Sequence, residues 1–81
     1  MAGNKTRDGL KINKILKVAR GFGASVREAG GSHPYVLGFA GMRPCPVASS
    51  TDARRMIVPW LQEATGYDAQ RVYSSLRRGK F

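Results

Sequence analysis

The stretch LKINKILKVARGFGASVREAGGSHPYVLGF, residues 10–39, decides the fold of this chain of 81 residues. Its first part, residues 10–22, has apolar side chains at the three- and four-residue spacing of an amphipathic helix. These apolar positions are Ile12, Ile15, Leu16, Ala19 and Phe22. Asp8 is a candidate N-cap for this helix, and Gly21 and Gly23 are natural stop signals after it. The chain is therefore predicted to begin with a helix that has one face in the core.

Two strands are predicted next, over residues 24–29 and 33–39, around the glycine pair at 30–31. Both glycines can adopt the positive φ that a two-residue hairpin turn requires. With that turn, the paired residues are Ala29 with Ser32, Glu28 with His33, Val26 with Tyr35, and Ala24 with Leu37. Because side chains alternate along a strand, the face toward the helix carries Val26, Tyr35, Leu37 and Phe39. Arg27 then points to the opposite side of the sheet.

A short third strand is predicted over residues 43–48, which contain two prolines. Proline cannot donate to a strand ladder, so this strand is expected at an edge of the sheet. Aromatic residues at core spacing (Phe22, Phe39, Trp60 and Tyr73) are expected to be structural, and Tyr35 is expected to pack. Cys45, which lies within the third strand, is expected to be a buried small apolar residue.

Residues 52–65 fit a second helix, although Pro59 interrupts it. One helical arc carries Ala53, Met56, Ile57, Trp60, Leu61 and Ala64. Either this helix is kinked at Pro59, or residues 54–58 form another strand and a short helix begins at Pro59; we favour the helix. Gly66 ends this segment, and Asp68 is expected to cap a last helix over 69–78. The apolar side of that last helix consists of Ala69, Val72, Tyr73 and Leu76.

The predicted order is α-β-β-β-α-α, an α+β domain with helices on one face of an antiparallel three-stranded sheet. We expect one domain over residues 1–81, with a flexible arm over 1–9 and a basic tail over 77–81. No apolar run approaches the roughly 18 residues of a membrane span, and the start of the chain lacks the apolar segment of a signal peptide. We therefore expect no membrane association.

The chain is strongly basic, with 14 Lys and Arg against 5 Asp and Glu and a formal net charge of +9. This imbalance favours a polyanionic partner, above all nucleic acid. The candidate phosphate contacts are Lys14, Lys17 and Arg20 on the first helix and Arg27 on the first strand. One cysteine and one histidine exclude an internal disulfide and leave no set of metal ligands, so neither metal nor cofactor is expected. The expected compartment is the cytoplasm.

The single histidine, His33, is the candidate catalytic residue. Pro34 restricts its backbone to extended conformations, which fixes the imidazole where the second strand begins. Glu28, if opposite, would orient the ring and favour its protonated form. Such a histidine can take a proton from a ribose 2′-hydroxyl or give one to a leaving 5′-oxygen. A lone histidine is also commonly just a turn residue on the surface.

The segments KINKILKVARGFGASVREAGGSHPYVL (11–37) and LQEATGYDAQRV (61–72) resemble the opening and closing parts of the HicA family. These are small toxins of type II toxin–antitoxin pairs with a fold like that of double-stranded-RNA-binding domains. The resemblance implies a metal-independent endoribonuclease, an mRNA interferase, whose catalytic histidine in Gly-Ser-His corresponds to His33. It also implies that a HicB-like antitoxin covers the histidine. In the catalytic hypothesis, Ser32 helps to position the phosphate through its hydroxyl or amide. A second alignment takes residues 56–59 as the third strand and 68–78 as the closing helix.

Three classes of function therefore remain open from the sequence. The first is a toxin that cleaves mRNA with His33. The second is an RNA- or DNA-binding module of the same fold without catalysis. The third is a basic adaptor for an acidic protein. Cleavage of labelled RNA in EDTA separates the first class from the other two.

Overall fold

The structure is a computed structural model that describes residues 5–28 and 35–80. Its elements are α1 (Ile12–Gly21), β1 (Ser25–Glu28), β2 (Tyr35–Gly38), β3 (Cys45–Val47), a π-helical turn (Ala53–Ile57), α2 (Val58–Thr65) and α3 (Ala69–Arg78). This order confirms the predicted α+β class and the helix over residues 52–65. The alternative strands over 54–58 and 56–59 are wrong, because these residues belong to the π-helical turn and the start of α2.

The three strands form an antiparallel sheet in the order β1-β2-β3, which places β3 at an edge as predicted. The hairpin register differs from the prediction by two residues: Val26 pairs with Leu37, and Glu28 pairs with Tyr35. The predicted pairings of Val26 with Tyr35 and of Glu28 with His33 are therefore wrong. A shift by two residues keeps every side chain on its face, so Val26, Tyr35 and Leu37 still share one side of the sheet.

The core lies between this side of the sheet and the helices. It takes fully buried side chains from the three helices and from β2, among them Ile15 of α1, Leu37 of β2, Leu61 of α2 and Leu76 of α3. Helix α3 packs against both α1 and α2, and α1 also packs against β1. Burial of each Leu- or Ile-sized side chain contributes about 1.5–3 kcal/mol to folding, so the contacts within this core hold the helices in place.

The second helical segment changes its winding close to Pro59. In the π-helical turn, the N–H of Val58 donates to the carbonyl of Ala53, five residues earlier. Pro59 follows in the first turn of α2, where a missing N–H is tolerated. The wider turn also changes which side chains face inward: Met56 is 52% exposed, and Val58 is buried instead. Met56 was expected on the core arc, and that prediction is wrong because it assumed regular α-helical spacing.

Asp8 does not cap α1, whose N-cap is Lys11 without any side-chain cap hydrogen bond. The Asp8 carboxylate instead accepts the N–H groups of Ala53 and Arg54 at 3.0 and 3.2 Å, at the start of the π-helical turn. Thr6, which is buried, donates its hydroxyl to the same carboxylate. Residues 5–9 of the predicted arm therefore include side chains that hydrogen-bond to the rest of the fold, and residues 1–4 lie outside the described residues.

Helix α3 begins and ends as its sequence predicts. The Asp68 side chain accepts the N–H of Arg71 at 2.8 Å, and Gly66 takes a positive φ before it. The helix continues to Arg78, so the first two residues of the predicted basic tail belong to its last turn. Gly79 follows with a φ of +83°. Within residues 5–28 and 35–80, no helix has the length and apolar character needed to cross a membrane.

Candidate nucleic-acid interface

Three of the chain's five acidic side chains are bound to the starts of helical segments. Asp52 and Asp68 cap the π-helical turn and α3 from the preceding residue, and Asp8 caps the π-helical turn from a distant segment. Carboxylates at these positions complement the positive end of the helix dipole. The remaining two, Glu28 and Glu63, are exposed. These three carboxylates therefore stabilise helix starts, while every lysine and arginine except the half-buried Lys14 is exposed.

The pKa of Asp8 is lowered from its ordinary value. Burial acts to raise this pKa, but it is outweighed by the N–H groups of Ala53 and Arg54 and the hydroxyl of Thr6, which all stabilise the charged carboxylate. Asp8 is thus ionised at neutral pH and bound to backbone groups.

The predicted basic residues of α1 do not all occupy similar environments. Lys17 and Arg20 are exposed, whereas Lys14 is half-buried. The Lys14 Nζ donates to the carbonyl oxygen of Arg77 at 3.0 Å, in the last turn of α3. This contact joins residues 63 positions apart and brings the basic side of α1 to the end of α3.

Three basic residues predicted only as a tail, and not as phosphate contacts, lie at this place in the fold. Arg77 and Arg78 are exposed on the last turn of α3, and the exposed Lys80 follows Gly79. The Lys80 N–H donates to the carbonyl of Ser75, so this residue is also held at the helix end. A signal was available in the predicted helix over 69–78, because it already included Arg77 and Arg78 on its polar side.

Arg27 lies apart from this group. It is exposed on β1 and pairs with Val36, and alternation along the strand places its side chain on the sheet face opposite Val26. The structure therefore brings Lys14 to the end of α3, with the exposed Lys17 about one turn further along α1, but leaves Arg27 on the other side of the sheet.

Several other arginines are exposed around the second half of the chain. The Arg54 guanidinium lies 4.3 Å from the centre of the Tyr73 ring, and that of Arg71 lies 3.9 Å from the Tyr67 ring. Such cation–π contacts help to fix side chains on the surface. The exposed Met56 lines two depressions, one together with Arg55 and the other together with Arg43.

The candidate catalytic residues Ser32 and His33 lie outside the described residues. Glu28, which was expected to support His33, is the last residue of β1 and lies opposite Tyr35. The strand pairing from which the role of Glu28 was predicted is therefore replaced by a pairing with Tyr35. Within the described residues, no three His, Cys, Asp or Glu side chains are grouped as metal ligands.

Cys45 and the aromatic residues occupy structural positions, as predicted. Cys45 is buried, and this burial raises the pKa of its thiol to about 11, so it is protonated at neutral pH. The buried Trp60 donates its ring N–H to the carbonyl of Arg43 at 2.7 Å. The half-buried side chains of Phe22, Tyr35, Phe39 and Tyr73 pack against the core.

No family model, curated protein or solved structure matches this chain.

Proposed function

We propose that this chain is a HicA-like toxin of a type II toxin–antitoxin pair. In this proposal it is a cytoplasmic endoribonuclease that binds mRNA and cleaves it without metal, and a HicB-like antitoxin protein covers its active site. The observation that carries the proposal is the position of Gly-Ser-His in a strongly basic fold. His33 belongs to the segment between β1 and β2, and that hairpin follows a helix with exposed Lys17 and Arg20.

The proposed chemistry needs one group that moves a proton and several that hold phosphate. His33 takes the proton of a ribose 2′-hydroxyl or gives one to the leaving 5′-oxygen, which contributes roughly 10²–10⁴ in rate. Ser32 positions the phosphate through its hydroxyl or its N–H. Exposed lysines and arginines attract the RNA backbone without selecting sequence. The support of His33 by Glu28 stays a prediction, because the sheet pairs Glu28 with Tyr35 and His33 lies outside the described residues.

The first prediction concerns His33→Ala. We expect this variant to lose RNA cleavage in EDTA and growth arrest in cells, because no other histidine is present to move the proton. Its RNA affinity and thermal unfolding should match those of the wild type, since the cations and the core are unchanged. Labelled RNA on a gel and a binding titration measure the two properties separately. Full activity of this variant, or loss of wild-type cleavage in EDTA, contradicts the proposal.

A non-catalytic nucleic-acid-binding module is the second candidate. The observation that favours it is that Asp8, Asp52 and Asp68 cap helical segments, so the exposed surface is mainly basic. Such a surface binds RNA without any catalytic group. This module would bind RNA with a steep salt dependence and leave it intact at any protein concentration. Replacement of Lys17 would then matter more than replacement of His33. A chain that binds RNA no better than heparin would instead be an adaptor for an acidic protein.

A further inference from the structure

We infer that α1 and the end of α3 form one phosphate-binding surface, which we call the α1–α3 basic surface. Its contacting residues are Lys17, Arg77, Arg78 and Lys80, and Lys14 joins the two helices beneath it. This inference rests on the proposed binding of RNA and assigns it to a defined part of the molecule. It also changes the role of Lys14 from a phosphate contact to a positioning residue.

The contact between Lys14 and α3 fixes the two helices relative to each other. The Lys14 Nζ is 3.0 Å from the carbonyl oxygen of Arg77, and its aliphatic chain lies against the buried Gly79. A β-carbon at Gly79 would lie 3.0 Å from the Cγ of Lys14, so glycine leaves the room that this side chain occupies. The cations of the two helices are therefore held close together by a packed contact.

Lys14 also supplies the positive charge that the end of α3 requires. The last carbonyls of a helix carry partial negative charge, and a cation placed there stabilises it. The ammonium of Lys14 occupies this position, and the side chains of Arg77 and Arg78 are exposed to solvent. An open depression lined by Ser74, Arg77 and Arg78 lies beside them, and its hydroxyl and guanidinium donors suit phosphate oxygens.

The character of this surface favours RNA over a membrane. Helices that lie in a membrane interface expose a large apolar face beside their cations. The apolar faces of α1 and α3 are buried in the core instead. Within the described residues, the exposed large apolar side chain is Met56, which belongs to the π-helical turn and not to either helix. A polar surface with several donors fits a chain of phosphates.

The test compares two double variants that each remove two positive charges, both in a His33→Ala background that leaves the RNA uncut. Arg77→Ala/Arg78→Ala alters the α1–α3 basic surface, and Arg43→Ala/Arg55→Ala alters the region around Met56. Binding of a fluorescent single-stranded RNA is measured at several salt concentrations, and circular dichroism checks folding. We expect the first variant to bind about tenfold more weakly than the parent. The slope of the logarithm of affinity against the logarithm of salt concentration should decrease in magnitude by about 1.4, or about 0.7 for each of two lost phosphate contacts. The second should keep near-parent affinity.

Equal losses in both variants would show that binding follows net charge, and the inference would be wrong. If Arg77→Ala/Arg78→Ala leaves the RNA affinity unchanged, the inference is wrong, although the proposed binding of RNA is not contradicted. Absence of RNA binding by the parent overturns the proposed function together with this inference. Arg77→Lys/Arg78→Lys should recover most of the affinity, because it restores the charge. If only binding to phosphatidylserine vesicles falls in the alanine variant, the surface is a membrane contact and the inference fails.

Discussion

At the scale of single residues, Asp8 has a structural role that its position in the sequence does not reveal. Its carboxylate accepts the N–H of Ala53, 45 residues further along the chain, and that of Arg54 as well. The N-terminal segment thereby caps the π-helical turn, and the Arg7 N–H adds a hydrogen bond to the carbonyl of Thr51. One side chain thus connects the start of α1 to the start of the second helical segment.

We predict that Asp8→Ala lowers the free energy of unfolding by about 1 kcal/mol, the usual cost of a lost helix cap. Urea denaturation measures this change. Asp52→Ala is the matched control, because Asp52 caps the same turn through the single N–H of Arg55 at 3.3 Å. The loss should be larger for Asp8→Ala, which removes two backbone contacts. If Asp52→Ala lowers the free energy of unfolding and Asp8→Ala does not, the hydrogen bonds from Asp8 to the π-helical turn do not stabilise the fold.

The lowered pKa of Asp8 adds a pH dependence to the same comparison. The folded chain holds this carboxylate in its charged form more strongly than the unfolded chain, so its contribution is present above the ordinary pKa of 3.8. It is lost as the pH falls through the lower pKa of the folded state. The difference in stability between the wild type and Asp8→Ala should therefore shrink below about pH 4. A difference that grows on acidification would contradict this assignment.

At the scale of helices and strands, local patterns predict the elements and much of their orientation. Helices α1 and α3 follow from apolar spacing, and Asp68 marks the start of α3. The inward face of the hairpin is also predictable, because alternation survives a shift by two residues. The register itself is not predictable in this way, since it depends on the length and geometry of the connection. The sequence alone therefore suggested Glu28 opposite His33 where the sheet has Tyr35.

Features that depend on contacts across the chain could not be predicted. Asp8 precedes α1 and has the chemistry of an N-cap, but its partners belong to the π-helical turn. The exposure of Met56 follows from the winding of that turn, which regular helical spacing does not describe. The same holds for the candidate interface. Lys14 and Lys17 were predicted as phosphate contacts, but the hydrogen bond that joins Lys14 to Arg77 exists only in the folded chain.

We predict that Gly79→Ala destabilises the protein more than Gly66→Ala does. Both glycines take a positive φ at the end of a helix, +83° and +79°, so alanine meets a similar backbone strain of roughly 1–2 kcal/mol at each. The added β-carbon has open space at position 66 but lies 3.0 Å from the Cγ of Lys14 at position 79. Urea denaturation of both variants measures the difference.

Lys14→Ala removes the Cγ that the new β-carbon would crowd and leaves only the Lys14 β-carbon, at an ordinary contact distance of 3.4 Å. In that background, Gly79→Ala should cost about the same as Gly66→Ala, because only the backbone strain remains. An excess cost that persists without Lys14 would mean that the two helices are joined by other contacts. The comparison is a double-mutant cycle, so it isolates the coupling between the two positions.

At the scale of the whole molecule, the same charges act on folding and on binding in opposite directions. A net charge of +9 on a chain of 81 residues repels itself in the folded state. This sum already includes the five acidic side chains, three of which are bound at helix starts. Phosphates from a ligand would relieve this repulsion, which links the binding of a polyanion to stability. Dissolved salt also relieves the repulsion, but it weakens attraction to RNA.

We therefore predict that salt stabilises this protein while it weakens RNA binding. Raising the ionic strength from about 0.01 M to about 0.1 M shortens the screening length from about 30 Å to about 10 Å. The longer value is close to the 31 Å length of the molecule, so at low salt most of its cations repel one another. Thermal unfolding should shift upward across this range. Arg77→Ala/Arg78→Ala lowers the formal net charge from +9 to +7, so its unfolding temperature should rise less over the same range of salt. A wild type that unfolds at lower temperature as salt is added would mean that attraction between charges, and not repulsion, dominates its folded state.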